Sequence, residues 1–148
     1  MTSREDGIVP TLELRKRVLR RALEAAAGGS TSELGDLFTE NLHGWSPNLS
    51  VWSRAELEQE FAERDDVLSN VAIVLDTVTG DGPTLIAEWR LTGEHTGALA
   101  LDEDTVLEPT GCEVTLAGAT FAEFRGDRIC RFRNYFDEAA LLEQLLIA

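Results

Sequence analysis

The sequence predicts an α+β fold in which helices come first, strand hairpins follow, and one more helix closes the chain. Three observations support this fold class. Apolar residues in the first third recur at the helical period, β-branched and alternating runs take over from Val71 onward, and residues 137–146 are amphipathic. Because the strands are joined by short turns, this order predicts a strongly curved antiparallel sheet covered by helices on one face.

Size and charge set limits on what the protein can be. A chain of 148 residues fits a single domain, here 1–148, with a core that needs no disulfide or metal, and residues 1–10 are expected to be flexible. A formal net charge of -14 would repel phosphate backbones and anionic lipid headgroups. The composition therefore argues against a nucleic-acid partner and against a membrane partner.

No hydrophobic segment is long enough for a membrane span, which takes about 18 apolar residues. The first ten residues, "MTSREDGIVP", carry charges but lack the apolar run of a secretory signal. A cytoplasmic protein is expected.

Three helices are predicted before the first strand. In residues 11–30 a one-sided apolar stripe predicts a surface helix that ends at Gly28 and Gly29. Residues 31–40 predict a short helix, capped by Thr31 or Ser32, with Leu34, Leu37 and Phe38 inward. A capping box of Ser53 and Glu56 begins the third helix, with Leu57 and Phe61 on its inner face. Residues 41–52 between them are rich in turn formers.

The second half of the chain predicts strands. Residues 71–80 and 84–99 flank the turn "GDGP", and residues 100–110 are expected to form a loop. Residues 112–124 and 129–136 flank "RGDR", which is typical of a hairpin turn, and residues 137–146 predict the last helix.

The second hairpin predicts a register if Gly126 and Asp127 are its two turn residues. Phe121 then faces Phe132, Ala119 faces Asn134, and Ala117 faces Phe136, on one sheet face together with Cys130. The other face would carry Leu116, Thr120, Phe124, Ile129, Arg131, Arg133 and Tyr135.

The same register separates the two cysteines. With Cys130 opposite Glu123, Cys112 lies roughly 35 Å away at about 3.3 Å per strand residue, which is too far for a disulfide. Two histidines without paired Cys/His spacing give no support for a zinc site, so no metal is expected.

Three motifs carry a resemblance to a known family. "EWRLTGEHTG", "EPTGCEVTLAGATFAEFRGDRICRF" and "NYFDEAALLEQL", placed after N-terminal helices, resemble the SnoaL-like branch of the nuclear-transport-factor-2-like superfamily. That branch includes polyketide cyclases of secondary metabolism, ketosteroid isomerases and limonene-type epoxide hydrolases. The resemblance implies a cone-shaped fold, the cystatin-like roll, around one deep and mostly apolar pocket. It also implies a hydrophobic ligand, no cofactor, and a homodimer formed through the convex sheet face.

The resemblance also assigns a sheet face and a set of pocket residues. It places Ala117, Ala119, Phe121, Cys130, Phe132 and Asn134 on the concave side. It implies further substrate contacts from Thr92, from Phe61, and from Trp45 and Trp52 near the mouth of the cone. The residues alone leave the choice of face open.

The epoxide hydrolases carry an Arg-x-Asp and an Asp-Tyr-Phe-Asp, and this sequence departs from both. Arg90 matches the arginine, but Thr92 and Asn134 stand where two acids would be. An amide can orient water or donate to an oxyanion, but it cannot accept a proton at neutral pH. Epoxide hydrolysis is therefore the less favoured activity.

In the cyclases an Asp near the C-terminus acts as acid and base, and Asp137 is the nearest match. Asp137 also precedes the last helix, where an Asp that only caps the helix is the alternative. His95 is a candidate proton shuttle, although alternation places it with Trp89 and Leu91, on the face opposite Arg90. Arg90 is catalytic if it is buried, and otherwise belongs to a solvated strand face or to an interface salt bridge.

Two functions from different classes are the leading candidates, and a purely structural dimerisation module is a third alternative. The first is a cofactor-free cyclase or isomerase that acts on a hydrophobic carbonyl compound such as a polyketide, with Arg90, His95, Asn134 and Asp137 as its catalytic candidates. The second is a binding or accessory protein that kept the pocket and lost the acids, which the Thr92 and Asn134 departures favour.

Overall fold

The structure is a computed structural model that describes residues 3–28, 30–63 and 66–146, with side chains from residue 12 onward. Four helices and eight strands follow one another along these residues. In chain order they are α1 (Ser3–Gly28), α2 (Leu34–Leu37), β1 (Phe38–Ser46), β2 (Leu49–Val51), α3 (Arg54–Glu63), β3 (Leu68–Asp81), β4 (Thr84–His95), β5 (Leu99–Ala100), β6 (Val106–Leu107), β7 (Glu113–Arg125), β8 (Arg128–Phe136) and α4 (Glu138–Leu146).

The α+β class with a curved sheet and N-terminal helices is confirmed. Six strands form one open sheet in the order β2-β1-β8-β7-β4-β3, and β5 pairs with β6 apart from it. The expectation of a purely antiparallel sheet is wrong, because β1 runs parallel to β8. A parallel neighbour needs a long connection, and here the chain between the two strands includes α3 and most of the sheet.

Two segments that were expected to be irregular contain strands. Residues 41–52, predicted as turns, hold most of β1 and all of β2. The predicted loop at 100–110 contains part of a small hairpin in which Leu99 pairs with Leu107 and Ala100 with Val106. Both segments carry Asn, Asp, Gly or Pro, so local turn propensity hid pairing that tertiary contacts impose.

The helices agree with expectation in part. α1 ends at Gly28 as predicted but begins at Ser3, before the predicted start at residue 11. α2 covers only Leu34–Leu37 of the predicted 31–40, because β1 begins at Phe38, although Leu34, Leu37 and Phe38 are buried as predicted. Neither Thr31 nor Ser32 caps α2, because its N-cap position is Glu33 and makes no side-chain bond there. Residues 1 and 2 lie outside the described residues, and the flexibility of residues 1–10 stays a prediction.

The N-terminus of α3 is capped as predicted, with one change. The Glu56 N–H donates to Ser53 Oγ over 3.1 Å, as a capping box requires. The Glu56 carboxylate, however, accepts from the N–H of Trp52 (2.7 Å) and not from Ser53. Leu57 and Phe61 then pack into the core.

A β-bulge in the second hairpin overturns the predicted register. Next to the turn the prediction is right, since Arg125 pairs with Arg128 and Phe124 with Ile129. Cys130 is then an extra residue, because Glu123 pairs with Arg131 and not with Cys130. Beyond the bulge Ala122 faces Phe132, Thr120 faces Asn134, and Gly118 faces Phe136.

The bulge also changes which residues share a face. We call the helix-covered side of the sheet the inner face and the opposite side the outer face. Ala117, Ala119 and Phe121 lie on the outer face with Arg131, Arg133 and Tyr135, so their predicted concave position is wrong. The inner face of β7 and β8 carries Leu116, Thr120, Ala122, Phe124, Ile129, Phe132, Asn134 and Phe136.

Candidate functional site

The core between the sheet and the helices contains a cavity of about 320 Å³. Its walls come from the inner face, from α1, from Phe61 of α3, from Glu138 and Leu141 of α4, and from the segments around Asn48, Val67 and Leu99. Aliphatic and aromatic side chains make up most of the lining, which suits an apolar ligand of small-molecule size. The apolar residues that α1 contributes are Leu19, Ala22, Leu23, Ala26 and Ala27.

Two aromatic rings on the inner face lie over glycines of the neighbouring strands. Trp89 on β4 pairs with Gly118 on β7, and a Cβ at Gly118 would clash with the indole ring. In the same way, Phe132 pairs with Gly44 on β1, where a Cβ would clash with the phenyl ring. The missing side chains let both rings lie against the backbone, where they line the cavity.

A chain of hydrogen bonds connects three side chains of the cavity wall. Trp89 Nε1 donates to Thr120 Oγ1 over 2.8 Å, and Thr120 Oγ1 donates to Asn134 Oδ1 over 2.6 Å. Trp89 and Thr120 are buried, and all three residues line the cavity. These bonds satisfy polar atoms that would otherwise destabilise an apolar interior.

A second polar group lies in the lining near Asn134. Trp45 pairs with Arg133, so the parallel strands place Ser46 beside Asn134 at the same end of the cavity. Ser46 Oγ donates to Asn48 Oδ1 (2.9 Å), and Asn48 Nδ2 donates to Glu138 Oε1 (3.2 Å). Within the described residues, Glu138 is the one acidic residue of the lining, and it is exposed to solvent.

The structure places Arg90 on the outer face, away from the cavity. Its Nε donates to Asp76 Oδ2 (2.7 Å) and its Nη2 to Asp76 Oδ1 (2.8 Å). This hydrogen-bonded ion pair lowers the pKa of Asp76 and raises the pKa of Arg90. Arg90 is exposed, which matches the alternative of a solvated strand face. Thr92 lies on the same face, outside the lining.

Asp137 caps the last helix. Its Oδ1 accepts from the N–H of Ala140 over 3.2 Å, so the alternative of an N-cap is confirmed. Asp137 is exposed and does not line the cavity, whereas the next residue, Glu138, does. The acidic residue that lines the cavity is therefore Glu138, one position after the predicted Asp137.

His95 is fully buried on the inner face, as the alternation with Trp89 and Leu91 predicted. Its Nδ1 accepts from the N–H of Thr110 (3.1 Å) and lies 2.9 Å from Thr110 Oγ1. Because a backbone N–H can only donate, this contact places the ring proton on Nε2. Nε2 is buried without a partner in the described part of the chain, and His95 is outside the cavity lining.

The predicted substrate contacts fall into two groups. Phe61 and Phe132 line the cavity, together with the catalytic candidate Asn134 and with Trp89 and Thr120 beside them. Ala119 and Phe121 lie on the outer face, where the guanidinium of Arg133 stacks 4.4 Å from the centre of the Phe121 ring.

Both tryptophans that were expected at the mouth lie away from the cavity. Trp45 is 39% exposed, and its ring centre lies 5.2 Å from that of Tyr135. Trp52 is 67% exposed and stacks on His43 with ring centres 3.7 Å apart. Neither ring contributes to the lining.

Sequence reasoning missed Thr120, Ser46, Asn48 and Glu138 as cavity residues. Thr120 was assigned to the other face because a bulge cannot be read from alternation. Ser46 and Asn48 lay in a segment that was taken for turns. Glu138 had a usable signal, since it directly follows the Asp137 that was selected.

The structure resembles solved structures of nuclear-transport-factor-2-like proteins. One from Anabaena variabilis shares 22% identity, with 86% of this chain and 89% of that chain covered, at a TM-score of 0.63. A candidate polyketide cyclase from Acidithiobacillus ferrooxidans shares 17% identity at a TM-score of 0.72, with 91% and 96% covered. A candidate SnoaL-like polyketide cyclase from Jannaschia sp. CCS1 shares 16% identity at a TM-score of 0.68, with 90% and 92% covered. These likenesses define the fold class, a nuclear-transport-factor-2-like α+β domain.

The sequence narrows this class to a family. Residues 16–145 match the SnoaL-like polyketide cyclase family, so the chain belongs to that family and the predicted resemblance is confirmed. None of the curated proteins matches the chain.

No helix in the described part of the chain is long and apolar enough to cross a membrane. Within residues 3–28, 30–63 and 66–146, no group of three or more His, Cys, Asp or Glu side chains is placed to hold a metal ion.

Proposed function

We propose that the protein is a cofactor-free cyclase or isomerase that acts on a hydrophobic carbonyl compound, such as a polyketide, held in the inner cavity. The observation that carries this proposal is an apolar cavity whose polar side chains lie together on one side. Hydrogen bonds link Thr120 to Asn134 and link Ser46 through Asn48 to Glu138, and the pairing of β1 with β8 places Ser46 beside Asn134. An apolar ligand with a carbonyl group at one end matches that distribution. Membership of the SnoaL-like family supports the same reaction class.

The proposed chemistry is an intramolecular aldol-type step. The Glu138 carboxylate takes a proton from the carbon next to a ligand carbonyl, and the amide of Asn134 donates to the enolate oxygen that forms. The enolate carbon then bonds to a second carbonyl carbon of the same molecule. The resulting alkoxide takes the proton back from Glu138, so the product is an isomer of the substrate and no other reactant is consumed.

The earlier catalytic candidates contribute differently to this proposal. Asn134 keeps its predicted role as a donor to the oxyanion. Asp137 caps α4 beside Glu138, and Arg90 pairs with Asp76 on the outer face. His95 is buried outside the lining, and we assign it no step.

Proton exchange tests the first half of this reaction. With 2-tetralone in D₂O, we expect the protein to exchange the ketone's α-protons for deuterium faster than buffer alone, as followed by ¹H NMR. Glu138→Gln should abolish the protein-dependent exchange, because an amide does not accept the proton. Asp137→Asn is the matched control, a neighbouring acid outside the lining, and it should retain the exchange.

The second candidate is a binding or accessory protein, which one observation favours. Glu138, the acid of the lining, is exposed to solvent and accepts a hydrogen bond from Asn48. Its carboxylate therefore faces the cavity less fully than the apolar residues of the wall do. Calorimetric binding of 2-tetralone without exchange above buffer would select this candidate. Absence of both binding and exchange would contradict both functions.

We also propose a homodimer formed through the outer face. Ile86, Trp45 and Tyr135 expose apolar or aromatic surface on this face, at 45%, 39% and 50% of their area. Such surface is typical of subunit contacts. Sedimentation velocity should give a dimer that Tyr135→Lys dissociates, whereas a monomer at all concentrations would contradict the proposal.

A further inference from the structure

The hydroxyl of Thr120 occupies a central place in the cavity wall. Thr120 lies on the inner face of β7 and is 2% exposed. Its oxygen is 2.8 Å from Trp89 Nε1 on one side and 2.6 Å from Asn134 Oδ1 on the other. Thr120 is therefore the link between a buried indole and the amide that faces the cavity.

The direction of these bonds follows from which groups carry hydrogen. An indole N–H can only donate, so Thr120 Oγ1 accepts from Trp89. The single hydrogen of the hydroxyl is then available to Asn134, which must present its oxygen to receive it. If the amide turned over, its NH₂ would face Thr120 and the buried hydroxyl hydrogen would lose its acceptor, which is unfavourable.

We propose that Thr120 is a positioning residue that fixes the Asn134 amide with its NH₂ group available to the ligand. This inference rests on the proposed function and narrows its substrate class. An asparagine that is free to turn could offer either an oxygen or an NH₂ group, whereas the fixed amide offers only a donor. The cavity therefore selects ligands that carry a hydrogen-bond acceptor, such as a ketone, at this point, and it disfavours hydrocarbons of the same shape.

Two probes of nearly equal shape isolate the effect. In 2-isopropenylnaphthalene a C=CH₂ group replaces the C=O group of 2-acetylnaphthalene. Isothermal titration calorimetry of the whole chain should show the ketone binding about three- to tenfold more tightly, the range expected for one hydrogen bond. If the wild-type protein bound ketone and alkene with nearly equal affinity, the inference would be overturned. The proposed function of the cavity would still stand in that case, because both probes bind.

Thr120→Val and Thr120→Ser provide the matched variants. Valine keeps the shape but removes the hydroxyl, so the ketone-to-alkene ratio should fall toward one. Serine keeps the hydroxyl, so the ratio should return to the wild-type value. A merely structural role would weaken both probes alike and leave the ratio unchanged in Thr120→Val, and that result would overturn the inference.

A second variant keeps the test decisive if Thr120→Val does not fold. In Asn134→Asp, the Thr120 hydroxyl donates to one carboxylate oxygen, and the other oxygen becomes the group that faces the ligand. Because a carboxylate repels a carbonyl oxygen, the preference for the ketone should disappear or reverse. A ketone preference that persists in Asn134→Asp would overturn the inference. Failure of the wild-type protein to bind either probe would overturn the proposed function and this inference together.

Discussion

Arg90 and Asp76 form a two-bond ion pair on the outer face of the sheet, with distances of 2.7 and 2.8 Å. Arg90 projects from β4 on the side opposite Trp89, and Asp76 lies at a register shift in β3, where Leu75 pairs with Trp89 and Thr77 with Glu88. The pair belongs to the surface, and the cavity lies on the other side of the strand.

Arg90→Gln should therefore leave ligand affinity nearly unchanged. We expect the dissociation constant for 2-acetylnaphthalene to stay within about twofold of the wild-type value, as is usual for separated sites. The variant should, however, alter the acid side of the stability profile. Since the bond to Arg90 lowers the pKa of Asp76, the pair stabilises the fold above the ordinary Asp pKa of 3.8, and this contribution is lost as the pH falls through the lowered value.

Denaturation with urea between pH 3 and pH 7, together with calorimetry, checks both statements. Glu88→Gln, which changes a charge on the same outer face, is the matched control. A loss of affinity of a hundredfold or more in Arg90→Gln would mean that the arginine reaches the ligand after all.

The proton of the His95 ring should reside on Nε2. The N–H of Thr110 occupies Nδ1, and a backbone donor leaves that nitrogen no hydrogen of its own. Long-range ¹H–¹⁵N NMR of the two histidines should show an unprotonated Nδ1 and a protonated Nε2 for His95. His43, which stacks on Trp52, serves as the internal comparison. A protonated Nδ1 would contradict this assignment.

The sequence could predict most elements, because hydrophobic period and capping residues are local signals. The capping box at Ser53, the buried stripe of α1 and the face shared by Trp89 and His95 were all readable in this way. The residues on the inner face of β7 could not be predicted. The extra residue Cys130 shifts the pairing of β8 by one position, so that the opposite set of β7 side chains faces the core. No local signal identifies such a bulge, which depends on how the strands twist together.

The site was harder to predict than the fold for the same reason. Ser46 lies beside Asn134 because β1 pairs with β8 in parallel. This pairing joins segments that are nearly ninety residues apart in the sequence. The motif residue Arg90 matched a family pattern, yet its partner Asp76 lies in a strand that the motif does not include. Which polar residues lie close together therefore depends on strand pairing between segments that are distant in the sequence.

Cys130 should respond to Glu123 across the bulge. Its thiol donates to the Glu123 carbonyl over 3.4 Å, and burial, followed by the charge of Glu123, raises the pKa of Cys130. Glu123→Gln removes that charge and should lower the pKa, so more thiolate forms at pH 8. In a Cys112→Ser background, alkylation by iodoacetamide should accelerate by about fivefold, which corresponds to about 1 kcal/mol between charges some 4 Å apart in water.

Peptide mass mapping over time measures this rate. Glu113→Gln is the control, since that acid lies at the far end of β7, paired with Glu94. An unchanged rate in Glu123→Gln would show that burial alone sets the pKa of the thiol. The raised pKa also means that folding stability declines as the pH rises above the ordinary thiol value of 9.0.

Gly118→Ala should destabilise the protein and disturb the cavity. The added methyl group would overlap the Trp89 ring, which lies directly over this glycine. Overpacking of this kind costs about 1–3 kcal/mol of unfolding free energy. Moving the indole would also break its bond to Thr120.

Urea denaturation measures the unfolding free energy of Gly118→Ala and of Gly35→Ala. The comparison separates the clash with the Trp89 ring from the effect of replacing glycine on backbone freedom. A Cβ at Gly35 meets no described atom within 4 Å, so that substitution in α2 should be neutral or stabilise the fold by about 0.5–1 kcal/mol. Equal stabilities for Gly118→Ala and the wild-type protein would contradict the arrangement of the Trp89 ring.

Gln144 should fasten the last helix to the sheet. Its Oε1 accepts from the N–H of Thr115 (2.9 Å), and its Nε2 donates to the Thr115 carbonyl (2.7 Å). The pairing of β8 with β7 ends at Gly118 and Phe136, so the side-chain amide of Gln144 acts on Thr115 as a neighbouring strand would. Gln144→Glu keeps the size but replaces the donor with an anion that faces a carbonyl oxygen. We expect it to cost about 1–3 kcal/mol, the range for leaving a polar group unpaired.

Hydrogen exchange at the Thr115 amide reports on this contact directly. Exchange should accelerate in Gln144→Glu, because the weakened helix exposes the N–H of Thr115 to solvent. Glu143→Gln, on an exposed position of the same helix, should leave both exchange and stability unchanged. If Thr115 stays protected in Gln144→Glu, the helix is held by Leu145, which is 1% exposed, and by its apolar neighbours without help from the amide.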